Sequence, residues 1–152
     1  MKFKIPLFPE SFELSLPSGL KVHPEQLETL DQIESQLNEN LMQEVIEKMH
    51  KFYVEGQAHI REMLPTMIQL GAMTQEQYDL LQKDCPSTET IDDFVEYLEA
   101  PFHIRIPEPE NCEDGSFGLT AECKWDQEHG VGVWFEKWKP VRVGFAEAGY
   151  PW

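Results

Sequence analysis

The side chains able to do chemistry gather in the last third of the chain, where His103, Cys112, Cys123, Glu128 and His129 stand close together in sequence. Glu128 and His129 could act as an acid and a base, because an imidazole titrates near neutrality and an adjacent carboxylate tunes it. Neighbouring residues of a strand point to opposite faces, however, so such a pair needs a turn that aims both. A small enzyme or ligand-binding domain with a pocket around His129, Glu128 and His103 is therefore one reading. The plainer one is that Glu128 and His129 bond the turn backbone or neighbouring strands. Zinc sites are built on close pairs such as C-x2-C or H-x3-H, whereas Cys123 and His129, the nearest pair, have five residues between them. The acidic run Glu108, Glu110, Glu113 and Asp114 lacks the alternating ligands and closing Glu of a calcium loop and reads as a solvated loop. There is no G-x-S-x-G elbow, P-loop or dinucleotide-binding glycine turn. The expectation is no metal, no cofactor and no catalytic residue.

Charge narrows the partners. Twelve Lys and Arg against 28 Asp and Glu give a net charge of −16, which excludes a phosphate-backbone binder and disfavours an anionic membrane surface. The same charge suits solubility or attraction to a basic partner. Three cysteines without close pairs point to free thiols in a reducing, cytoplasmic setting. No apolar run is long enough to span a bilayer, and the proline-broken segment from Met1 to Pro9 does not read as a signal peptide.

The elements that must position these residues follow from periodicity. From Phe117 to Trp125 the odd positions are apolar and the even ones small or polar; Asp126 to Gly130 supplies a turn, and Val131, Val133 and Phe135 continue the alternation. This hairpin needs other elements to bury its apolar face. Phe102, Ile104 and Ile106 form a strand before it. Val141, Val143 and Phe145 form one after, so residues 102–145 read as a four-strand antiparallel meander. Cys123 falls on the inward parity, where a thiol behaves as a small hydrophobe. Residues 1–22 read as short strands, 24–100 as a helical segment and 146–152 as a tail.

Within the helical segment, Leu27, Leu30, Ile33, Leu37, Leu41, Val45, Met49 and Phe52 recur at three and four residues from Pro24 onward, with a break or bend expected near Asn38-Glu39-Asn40. This stripe reads as core, or alternatively as the seam of a homodimer. Gly56 punctuates the pattern, Pro65 kinks or restarts it, and Gly71 ends it. Thr74 and Thr90 read as caps of two short helices, the second stopped at Pro101. The whole is a single α+β domain, with an antiparallel sheet of N-terminal strands and C-terminal meander packed on central helices.

Strand parity offers a clearer functional clue than any catalytic motif. With Val131, Val133 and Phe135 inward, Gly132, Trp134 and Glu136 face the other way; Trp138, and Arg142 on the next strand, share that parity. Trp and Arg together on an open face are the composition of an interface hot spot. The alternative is that a helix or the tail Gly149-Tyr150-Pro151-Trp152 covers them. The expected partner-binding set is Trp134, Trp138 and Arg142 as anchors, with Glu108, Glu110, Glu113 and Asp114 as electrostatic rim.

The run Trp125-Asp126-Gln127-Glu128-His129-Gly130-Val131-Gly132-Val133, followed by Val141-Arg142-Val143-Gly144, resembles a family of largely uncharacterised bacterial domains with a C-terminal W-D-x-E-H-G-x-G-V hairpin. Its structural motif here is Trp125, Asp126, Glu128, His129 and Gly130. Such domains resemble proteins of bacterial toxin and immunity loci. The resemblance implies a small cytoplasmic α+β protein that binds another protein, such as a basic toxin, without turning over a substrate.

Overall fold

The computed structural model describes residues 2–4, 11–15, 23–84, 90–108, 113, 115–124 and 129–151. The alternation of the last third becomes four strands: β3 (Leu98–Arg105), β4 (Phe117–Cys123), β5 (Val131–Glu136) and β6 (Lys139–Gly144), each antiparallel to the next. Two N-terminal strands, β1 (Lys2–Lys4) and β2 (Ser11–Ser15), form an antiparallel pair that completes a six-stranded sheet in the order β1-β2-β3-β4-β5-β6. The fold is α+β. One pairing departs from the antiparallel expectation: β2 joins β3 in parallel, with Leu14 opposite Phe102. The expected extension at 20–22 lies outside the described residues.

The helical stripe breaks where asparagine permits it. Helix α1 (Pro24–Gln36) ends as the Leu37 amide donates to Ile33 O at 2.8 Å. Asn38 then caps α2 (Glu39–Gln69), its side-chain oxygen accepting from the Leu41 amide at 3.1 Å. Helix α2 continues through Gly56 and Pro65, where a stop or restart was expected. Proline in a helix forfeits one hydrogen bond and costs about 3 kcal/mol, which a 31-residue helix otherwise intact along its length accommodates. Gly71 at φ +71° closes α2, with the Ala72 amide on Met67 O and the Gly71 amide on Ile68 O. Thr74 and Gln77 exchange reciprocal bonds to open α3 (Gln75–Asp84), and Thr90 caps α4 (Ile91–Glu96). Pro101 does not stop α4. It lies inside β3, where the register shifts between Glu99 and His103, a place that tolerates a residue without a ladder donor.

Ile33 and Leu37 of α1, Val45, Ile46 and Met49 of α2, and Phe94 of α4 meet Phe102, Leu119, Val133 and Phe135 on the inner sheet face. Phe117 and Phe135, paired across β4 and β5, stack at 4.4 Å. Cys123 is buried among them as its parity implied. The stripe from Leu27 to Phe52 is thus spent largely on this core. Ile33, Leu37, Val45 and Met49 of that stripe are buried in the chain's own core. Gln26 is buried for another reason: it accepts from the His23 amide at 2.8 Å and donates to Pro107 O at 2.7 Å, pinning the start of α1 just beyond the end of β3.

The outer face of the meander carries Gly118, Gly132 and Gly144, and the C-terminal segment crosses it. After Gly144 the chain forms a 3-10 turn, Ala146–Gly149, whose first amide donates to His129 O at 2.9 Å. A Cβ on Gly118 would lie 1.7 Å from Gly149 O, and one on Gly132 would lie 2.6 Å from Ala146 O. The segment therefore rests on bare backbone. Replacing Gly118 by Ala should force it off and cost about 2 kcal/mol in urea unfolding. Gly56, with open space around it and a helical backbone, should instead gain about 0.5–1 kcal/mol on replacement by Ala.

Candidate functional site

Trp134 and Arg142 face each other across β5 and β6 on the outer face, as their parity implied. The face is not open. Trp134 is only 7% exposed, and the C-terminal segment is what covers this side of the sheet. The Arg142 guanidinium carbon stands 5.7 Å from the Trp134 ring, its Nε donates to Ala148 O at 2.9 Å, and its Nη2 donates to Tyr150 O. Arg105 of β3 lies 4.9 Å over the Tyr150 ring. Two arginines, one on β3 and one on β6 with two strands between them, thus hold the segment down from either side. Burial lowers the pKa of Arg142 from its ordinary value, because the charged form loses water, while the Glu136 carboxylate pulls the other way.

Beside the segment lies a cavity of about 280 Å³. Trp134, Pro107 and Pro151 form its apolar walls; Arg142, Glu136, Glu113 and Ser116 supply its polar groups. Glu113 and Ser116 flank one turn, with the Ser116 amide donating to Glu113 O at 3.0 Å and Gly115 between them at φ +68°. Three residues of the expected partner-binding set, Trp134, Arg142 and Glu113, therefore converge on this cavity. Ser116, Pro107 and Pro151 were not foreseen, because irregular segments carry no periodicity that would bring them to a sheet face.

Trp138 goes elsewhere. Strand β5 ends at Glu136, and Lys137 and Trp138 occupy a two-residue hairpin turn at φ 50° and 65°. The Trp138 ring packs 5.7 Å from Phe117, and a Cβ on Gly115 would lie 2.7 Å from its indole. It is a half-buried core residue, and the expected parity with Trp134 fails because a tight turn resets the alternation. Glu108 is exposed just beyond Pro107. Glu110, Asp114, Trp125, Asp126 and Glu128 lie outside the described residues. Of the hairpin motif, His129 is exposed with its ring 5.2 Å from that of Phe145, and Gly130 takes φ +60° against Ala121 O. His103 sits half-buried in mid-β3 opposite Thr120, and neither histidine lines the cavity. Among the described residues, no three His, Cys, Asp or Glu side chains converge as a metal would require, and no helix is long and apolar enough to cross a membrane.

A second surface lies on the helices. The buried positions of α2 end at Tyr53, yet apolar residues continue outward: Val54, Ile60, Met63 and Leu70 are exposed, the last by 77%, as is Leu80 of α3. Exposed Glu55, Glu62, Glu76 and Asp79 stand among them.

The chain belongs to the DUF6985 family, a domain of unknown function whose model matches residues 2–150. No curated protein and no solved structure matches it. With Trp134 buried, its replacement by Ala should cost about 3 kcal/mol in chemical denaturation. Arg142→Gln should free the C-terminal segment, seen as faster amide exchange at Ala146, Ala148 and Tyr150 with a loss of about 1.5 kcal/mol from the carbonyl bonds to its charged group.

Proposed function

We propose that this protein is a non-catalytic binding protein of the immunity type, which neutralises a basic bacterial toxin in the cytoplasm by occluding it. The observation that carries this reading is the set of exposed apolar residues beyond Tyr53, with Ile60, Met63 and Leu70 within one side of the α2 helix and its cap and Leu80 on α3, in a chain of net charge −16. A folded protein seldom leaves several large apolar side chains together in water without a partner to cover them. Among the described residues from 54 to 80, Glu55, Glu62, Glu76 and Asp79 outnumber the single cation Arg61. That surplus favours a cationic protein over a second copy of this acidic chain. Carboxylates would steer the encounter, and Ile60, Met63, Leu70 and Leu80 would hold it once water is excluded. The family resemblance of the C-terminal hairpin points the same way.

The test is co-expression with the product of the adjacent reading frame. That product should arrest growth alone and be neutralised by this protein. Met63→Glu and Leu80→Glu should weaken the complex about 100-fold while leaving unfolding unchanged, since both residues already face solvent. A neighbour harmless by itself, or full protection by both variants, would remove the proposal.

A further inference from the structure

We infer that the cavity beside Trp134 receives a cationic side chain, a lysine or arginine presented by a protein partner. This deepens the binding reading above, on which it rests for the source of that side chain. Size is the first ground: about 280 Å³ has room for one long side chain. Charge is the second. Glu113 and Glu136 set two carboxylates against the one guanidinium of Arg142, which already donates to Ala148 O and Tyr150 O and faces Glu136. An incoming anion would meet both carboxylates. A cation gains from them and, repelled by Arg142, settles on the Glu113 side.

Ser116 is the third ground, and it points to a ligand by itself. It is 5% exposed and lines the cavity, and among the described residues its hydroxyl has no hydrogen-bond partner. A buried polar group left unmade is costly, and native structures rarely keep one without a use. The Ser116 amide bonds Glu113 O, so its oxygen and the Glu113 carboxylate belong to the same turn. An ammonium or guanidinium entering there donates to both. Trp134, Pro107 and Pro151 meanwhile cover the methylene stem, the division of labour that long cationic side chains favour.

The test titrates the full chain with short capped glycine peptides bearing a central lysine, arginine, glutamine or glutamate, following the Ser116 amide and the Trp134 indole by NMR. The lysine or arginine peptide should shift both signals and bind about tenfold more tightly than the glutamine peptide, with affinity falling as salt rises. Glu113→Gln, at an exposed position, should abolish that preference without unfolding the protein, and Ser116→Ala should weaken binding several-fold. Tighter binding of the glutamate peptide, equal binding of all four, or shifts confined to other residues would overturn the inference. Its failure is separable from that of the immunity reading: cationic peptides that still bind when the adjacent product proves harmless leave the cavity's role standing. Rescue without peptide binding does the reverse.

Discussion

The contact on which the rest of the structure depends is backbone against backbone, where the turn Ala146–Gly149 lies on Gly118 and Gly132. No side chain could stand between them. That closeness gives the sheet a second cover without a second layer of helices, so a single chain buries both faces of β4 and β5. It also determines where Ala148 and Tyr150 present their carbonyls, and hence what Arg142 can reach. The cavity at Trp134 lies beside this thin cover, with Pro151 of the segment forming one of its walls.

Much of this was legible. The alternation through β4 and β5 assigns Leu119, Val133 and Phe135 inward and Trp134 outward, because one buried face punishes any slip of register. Asn38, Thr74, Thr90 and Gly71 mark helix ends through side-chain or backbone chemistry that acts within four residues. What escaped was non-local. Whether Trp134 met solvent or protein hinged on a segment folding back over it, which parity cannot report. Lys137-Trp138 lacks the glycine or asparagine that usually announces a two-residue turn; the pair is held there by Trp138 N on Gly115 O and by the ring on Phe117. Pro65 misled in the opposite direction, since one missing bond is a local defect in a long helix. The parallel pairing of β2 with β3 left no trace in either strand, because parallel and antiparallel partners ask for the same residues.

The two surfaces differ in how they are built. The cavity residues come from β5, β6, the residues after β3, the turn before β4 and the tail, elements tied together by ladder bonds and arginine contacts. The outer part of α2 is supported mainly by its own helical bonds, and α3 adds an exposed leucine. In the proposed binding role the recess would select by charge and shape, and the methionine-bearing helix face would tolerate variation in what it covers.

The parallel junction of β2 and β3 also has a history in time. Leu14 pairs with Phe102, about 90 residues later in the chain, so a ribosome adding roughly 10 residues per second leaves the first strands without their partner for about ten seconds. During that interval α1 and α2 emerge with their core stripe uncovered. The N-terminal pair therefore waits for β3, the first strand of the meander to be made, and until then its edge is unpaired, the kind of edge that invites pairing with another chain.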